Sequence, residues 1–176
     1  MTETPDTEAR GAETDRGRAM FQELLWIHSV IRRYLEIVEK LAADVGNGLP
    51  GDAVQDALEE LKTRGPLWQL KVNCLRYCSH VHAHHGAEDL LLFPALRAAD
   101  PSIEPVVDRL EADHARVSDL LDTIEVAARA LTDTDGGDAR QRVIDGLQDL
   151  HVHLLEHLDY EERNAGPTIR RLDRLA

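Results

Sequence analysis

Four stretches of the chain repeat apolar residues at alternating steps of three and four, the spacing that keeps one face of an α-helix apolar. They span residues 21–38, 67–95, 107–131 and 143–161. A half-buried strand would instead alternate with a period of two. Four amphipathic helices joined by shorter connections predict an all-α fold, an antiparallel up-down-up-down four-helix bundle.

The composition agrees with helices and excludes several kinds of partner. Of the 176 residues 43% are hydrophobic and only 4% aromatic, and the net charge is −13. Binding to nucleic acid or to an anionic membrane needs a basic surface, so neither partner is expected. No apolar signal segment or membrane-spanning window is visible, and we therefore expect a cytoplasmic protein.

Glycine, proline and capping residues divide the chain. The Gly46–Gly51 cluster ends the first helix, and Pro66 suits the first turn of the second. The predicted elements are a disordered tail over residues 1–15 and, within a bundle over residues 16–176, helix A (Arg16 to Asp44), a short extra helix (Asp52 to Lys62), helix B (Pro66 to about Arg97), helix C (N-capped by Ser102, to about Leu131) and helix D (Asp138 to Gly166–Pro167 and briefly beyond).

Ionisable residues interrupt the apolar face of every helix. Burying them uncompensated would cost several kcal/mol each, because an apolar core cannot replace their hydration. A cation bound by all of them removes that cost, so the pattern predicts a metal site in the bundle core. The predicted ligands are His28, His84, Glu88, His114, His157 and Glu161.

The spacing of these residues indicates two ions. His84 with Glu88, and His157 with Glu161, are four apart and point in nearly the same direction. Six ligands exceed one tetrahedral ion, and carboxylates with imidazoles but no thiolate suit iron better than manganese or zinc. We expect two Fe ions, oxo- and carboxylate-bridged, with positions left for O2, NO or peroxide.

An internal repeat supports a symmetric site. A shift of 73 residues places helix B on helix D. His28 in helix A and His114 in helix C play the same role, each as the lone inward histidine of its helix. The bundle is thus predicted to be two helical hairpins facing each other across a pseudo-twofold axis, with the ions at its midpoint. The superimposed pairs are His80 with His153, His84 with His157, Glu88 with Glu161, Pro94 with Pro167 and Arg97 with Arg170.

The remaining candidates separate by their angle around each helix. His80 and His153 lie one turn before the paired ligands and are either further ligands or donors that orient a carboxylate. Tyr77 either packs in the core, which we favour, or hydrogen-bonds near the metals. Trp26 is expected to pack, and Cys74 and Cys78 are expected to be thiols. Solvated or inter-helix positions are predicted for His82, His85 and His151.

Four sequence motifs resemble the hemerythrin-like, or HHE cation-binding, family over residues 18–172: a lone His on helix A, HHGAED followed by LLLFPAL on helix B, a lone DH on helix C and HLDYEE on helix D. The resemblance implies a four-helix bundle with a non-haem di-iron centre. It implies as ligands the same residues, His28, His84, Glu88, His114, His157 and Glu161.

Two positions depart from the oxygen-carrying members. Their second helix C histidine is Ser118 here, and their helix D carboxylate, five residues after its histidine, falls on Glu162. The chain therefore resembles the branch with the pattern H, HxxxE, H, HxxxE, which counts against reversible O2 carriage. The apolar spacing favours Glu161 as the bridge, and the oxygen-carrier spacing keeps Glu162 as the alternative.

These inferences define three function classes. The leading one is a protein that binds or turns over O2, NO or peroxide, in protection against these species or in sensing them. The second is an iron-binding or sensing module that acts through a protein partner without turnover. The third is a structural bundle with adventitious metal. The sequence does not identify the redox or protein partner.

Overall fold

A computed structural model describes residues 12–46, 66–131 and 137–175. Within these ranges the chain is helical and has no strand, which confirms the all-α prediction. The predicted short helix at Asp52 to Lys62 and residues 1–11 of the predicted tail lie outside them. The elements are α1 (Asp15–Gly46), α2 (Pro66–Ala87), a π-helical turn (Glu88–Leu92), α3 (Phe93–Ala99), a 3-10 turn (Pro101–Ile103), α4 (Glu104–Ala130), α5 (Asp138–Asn164) and α6 (Gly166–Ile169).

The four long helices form the predicted antiparallel bundle. Helix α1 packs against α2 and α5, and α4 packs against the same two helices. The approach of α4 and α5 is close at Gly146, where a Cβ would lie 2.7 Å from Cγ1 of Ile124. Each helix therefore has two neighbours and one face directed at the centre.

The start of α1 is fixed to the C-terminal end of the bundle. The Thr14 hydroxyl accepts a hydrogen bond from the Gly17 N–H (2.8 Å) and donates one to the Leu172 carbonyl (2.7 Å). The Thr14 N–H donates to the Arg170 carbonyl at 2.9 Å. A Cβ on Gly17 would collide with that same carbonyl. Thr14 is thus the N-cap of α1 and its anchor.

A π-helical turn shifts the second half of the predicted helix B. The Phe93 N–H donates to the Glu88 carbonyl, five residues earlier. Pro94 has no N–H, and in an α-helix its ring would clash with the carbonyl four residues before it; the wider π turn avoids this. The extra residue in the turn buries Leu92. Leu91, which the steps of three and four within residues 67–95 place on the inward face three residues after Glu88, is instead 44% exposed.

Two local predictions were wrong. Ser102 does not cap α4: the Asp100 carboxylate accepts from the Ser102 N–H (3.1 Å), which caps the 3-10 turn, and α4 begins at Glu104. Trp26 is 66% exposed rather than packed. It lies two residues before His28 and therefore about 160° around α1 from the inward face.

The apolar core is divided into two clusters. The larger contains Ile31 of α1, Cys74 of α2 and Leu121 of α4; the smaller contains Phe21 of α1 and Phe93 of α3. Along every long helix the predicted metal ligands fall at the junction of the two clusters. The core therefore contains a polar layer with apolar packing on both sides. No helix in the described ranges is both long and apolar enough to cross a membrane.

Candidate metal centre

The structure brings the six predicted ligands together in the polar layer. None of their six residues is more than 8% exposed. The imidazoles meet in pairs across the bundle, with Nε2 of His28 and His84 3.1 Å apart and Nε2 of His114 and His157 3.2 Å apart. The Nε2 atoms therefore point at common positions, as the nitrogens of one metal site do.

Glu88 lies between the two imidazole pairs. Its Oε1 is 3.2 Å from Nε2 of His84, and its Oε2 is 3.4 Å from Nε2 of His114. One carboxylate oxygen faces each pair. This is the arrangement of a carboxylate that bridges two ions.

The structure distinguishes the two helix α5 glutamates. Oε2 of Glu161 is 3.4 Å from Nε2 of His28 and 3.9 Å from Nε2 of His157, and the side chain is fully buried. The Glu162 side chain is 22% exposed and its Oε1 accepts from Nδ1 of His28 at 2.8 Å. Arg32 donates to the same oxygen at 2.8 Å. Glu161 thus faces the centre, and Glu162 binds Nδ1 of His28, the ring nitrogen that points away from the centre.

A seventh donor, His85, was missed by the sequence analysis, which placed it in solvent or between helices. It is 5% exposed, and its ring stacks on His114 with centroids 4.0 Å apart and planes 9° apart. Its Nε2 has no hydrogen-bond partner among the described residues. The error has a geometric cause: residues about 100° apart on a helix can each face a different neighbour in a square bundle. His84 faces α1 and His85 faces α4.

The donor atoms form two groups in which all members lie within 4.8 Å of one another. Glu88 belongs to both. The α1-side group has two imidazoles and two carboxylates, and the α4-side group has three imidazoles and one carboxylate. The α1-side group is His28, His84, Glu88 and Glu161; the α4-side group is His85, Glu88, His114 and His157.

Carboxylates from neighbouring helices orient two of the imidazoles. Nδ1 of His28 donates to Glu162, and Nδ1 of His114 donates to Asp89 at 2.7 Å. Each carboxylate directly follows a glutamate of the centre, Glu161 or Glu88, and the 73-residue repeat superimposes Asp89 on Glu162. Such bonds fix the tautomer, leaving Nε2 free to bind a metal.

The electrostatics of the layer fit a bound cation. Burial raises the pKa of the Glu88 carboxyl well above its usual range, and the nearby Glu161 carboxylate raises it further. Burial and the His28 imidazole lower the pKa of His84 to about 3, and burial and the His114 imidazole lower that of His157 to about 2. Metal ligation needs neutral imidazoles, which these environments favour.

The buried carboxylate oxygens also lack partners. Neither oxygen of Glu88 or Glu161 has a hydrogen bond within the described part of the chain. A buried carboxylate without a partner is costly, and a cation between these two would satisfy both. The residues present therefore fit a metal centre.

The other candidate residues lie outside both groups. His80 is exposed, and His153 is half-buried with its Nε2 2.7 Å from an Arg116 nitrogen. Tyr77 packs in the larger apolar cluster at 2% exposure. As predicted for inter-helix positions, two further histidines face carboxylates of neighbouring helices: His82 with Asp122 (3.5 Å) and His151 with Glu39 (2.9 Å).

Comparison with known families agrees with this geometry. The family model described as Hemerythrin HHE cation binding domain matches residues 67–169, more than half of the chain. The chain belongs to the hemerythrin HHE cation-binding family. The match begins after α1 and therefore does not include His28. The packing of α1 against α2 and α5 brings His28 to this HHE centre. No curated protein and no solved structure matches the chain.

Proposed function

We propose that this HHE protein holds two iron ions and binds or reacts with O2, NO or peroxide. The observation that carries the proposal is the pair of donor groups joined through Glu88. One ion would be held by the α1-side group and the other by the α4-side group. The ligand assignment is that of the sequence, His28, His84, Glu88, His114, His157 and Glu161, with His85 added.

The donor chemistry supports iron. Imidazole nitrogens and carboxylate oxygens without thiolate suit iron or manganese, and a structural zinc site prefers four ligands that include sulfur. Two adjacent ions, when bound, supply Lewis acidity and one-electron redox chemistry. The chain's part would be to hold the ions at a fixed separation, and Glu88, with one oxygen facing each group, would do so.

The surroundings select small ligands. Seven protein side chains leave a few of the roughly twelve positions of two six-coordinate ions open to other ligands. The apolar clusters on both sides of the layer exclude bulky substrates and bulk water. A diatomic molecule or a peroxide is small enough for such a site.

Reactivity is favoured over simple oxygen carriage. The chain has Ser118 where oxygen carriers have their second helix C histidine. His85 provides an additional imidazole, but from α2. The centre is thus assembled differently from that of the carriers, and we assign it to protection against, or sensing of, oxidants or NO.

The setting of the protein is part of the proposal. Cys74 and Cys78 are free thiols in the core, which supports a reducing compartment such as the cytoplasm. The net charge of −13 supports a function without nucleic-acid or membrane partners.

Metal analysis with reactivity measurements tests this function. Protein purified in air should contain about two irons per chain and show the near-ultraviolet absorption of a bridged ferric pair. The reduced protein should react with O2, NO or hydrogen peroxide. Repeated consumption of the oxidant identifies an enzyme, and a single stoichiometric reaction identifies a binding or sensing module. Protein that holds one zinc ion and takes up no iron after stripping contradicts the proposal.

A further inference from the structure

His157 differs from His28 and His114, whose imidazoles are oriented by carboxylates. Nδ1 of His28 and of His114 each donates to a carboxylate, whereas Nδ1 of His157 has no hydrogen-bond partner within the described residues. The His157 side chain is fully buried. The nearest carboxylate is that of Asp113 on α4, whose Oδ2 lies 3.9 Å from Nδ1, too far for a direct hydrogen bond.

Asp113 and His157 both line a small polar cleft. It lies between α4 and α5 and has a volume of about 20 Å³. A cavity needs about 10–15 Å³ by this measure to hold one water molecule, so the cleft admits one. Its lining residues are Arg109, Asp113, Arg116, Val117, His153, Glu156 and His157.

Neighbouring side chains keep Asp113 at the cleft. Nε of Arg109 is 3.6 Å from Oδ2 of Asp113, and the Arg109 guanidinium lies 3.8 Å from the centre of the Tyr160 ring. Arg116 contacts His153, another lining residue. The Arg109 contact therefore holds the Asp113 carboxylate at the cleft that His157 also lines.

We propose that one water molecule in this cleft joins Asp113 to His157, accepting from Nδ1–H and donating to the carboxylate. Asp113 is then the positioning residue for the His157 imidazole, as Glu162 is for His28 and Asp89 for His114. The inference rests on the proposed metal centre. A carboxylate linked to a ligating imidazole fixes its ring and strengthens it as a donor.

This link makes the two donor groups differ in the carboxylates that orient their imidazoles. Asp113 precedes His114, and the residue that precedes the matching His28 is Ile27, whose side chain has no polar atom. The carboxylate behind His157 therefore has no counterpart from α1. His157 would thereby be the stronger donor to an ion held by the α4-side group, and loss of the Asp113 carboxylate would make the ferric state of that ion less stable.

The test compares Asp113→Asn with Asp119→Asn, a change of the same kind at an exposed position of α4. Asp113→Asn should release one of the two irons to a chelator about 10–100 times faster, as expected for loss of a carboxylate behind a ligating histidine. While both irons are still bound, the potential of the ferric–ferrous couple should be higher than in the wild type. Asp119→Asn should match the wild type in both measurements.

Asp113→Glu separates charge from packing. It keeps the carboxylate and should restore most of the iron retention and of the potential, even if Asp113→Asn folds poorly. Equal impairment of Glu and Asn variants, or an Asn variant identical to the wild type, overturns the inference while leaving the di-iron proposal intact. A wild-type protein that binds no iron overturns both.

Discussion

His85 stacks face to face on His114, with ring centroids 4.0 Å apart. Burial lowers the pKa of His85, so its imidazole is neutral in this stack. The stack brings Nε2 of His85, which has no hydrogen-bond partner in the part of the chain that the structure describes, into the group formed by Glu88, His114 and His157.

Replacing His85 should therefore remove metal. We expect His85→Ala to retain about one iron per chain and to lower the melting temperature of the iron-loaded protein, because metal bound only by the folded state stabilises it. His82→Ala is the control, since His82 faces Asp122 on the outside of the same helix. Iron content and thermal unfolding measure the effect. An iron-replete His85→Ala protein would assign His85 to packing alone.

The two glutamates of α5 should respond differently to removal of their charge. Glu161→Gln should lose one or both irons and the bridged-pair absorption, because the Glu161 carboxylate faces both imidazole pairs. Glu162→Gln should keep both irons but bind the one in the α1-side group about 10–100 times more weakly, since Glu162 only orients His28. Iron titrations of the two variants decide this. Loss of the pair in Glu162→Gln alone would move the ligand by one residue.

Much of this site could be predicted from the sequence because helical spacing determines it. The steps of three and four placed His28, Glu88 and Glu161 on inward faces, and all three are buried there. Spacing treats a helix as having a single inward face, so it missed His85, which faces the second neighbour of α2. The adjacent histidines of HHGAED were the available signal for a helix that contributes to both groups.

The phase error at Leu91 has another origin. A constant 3.6-residue period carries Leu91 inward, and the π turn adds a residue and buries Leu92 instead. Pro94 was visible in the sequence, but whether a proline kinks a helix, ends it or widens it depends on the packing around it. Such packing is not encoded in local spacing.

Two glycine substitutions should change stability in opposite directions. Gly17→Ala places a methyl group against the Arg170 carbonyl and should destabilise the protein by about 1–3 kcal/mol, the usual cost of overpacking. Gly86→Ala meets open space within a helix and should stabilise by about 0.5–1 kcal/mol. Urea unfolding of both metal-free variants provides the comparison. A neutral Gly17→Ala would mean that the start of α1 is not closely docked.

The metal-free protein should lose stability when the pH falls from 6.5 toward 5. His84, His85 and His157 have lowered pKa values in the fold, so in this window they take up protons only in the unfolded chain. Each favours unfolding by up to about 1.4 kcal/mol per pH unit. Glu88 and His28 have raised pKa values and oppose them, His28 only near pH 6.5, where its unfolded form is not yet fully protonated. Melting temperatures across this range measure the balance, and a rise on acidification would contradict it.

The polar layer between the two apolar clusters gives the bundle a mechanical division. Each end is held by apolar packing that needs no ligand, whereas the middle depends on the His28–Glu162 and His114–Asp89 hydrogen bonds and on what binds there. A bound metal would then act as a removable crosslink among four helices, and its loss should loosen the midsection before the ends. Amide hydrogen exchange around the π turn would report this directly, because those amides lie where the crosslink attaches. The rate of amide exchange in the middle of the bundle would then report how much metal the protein holds.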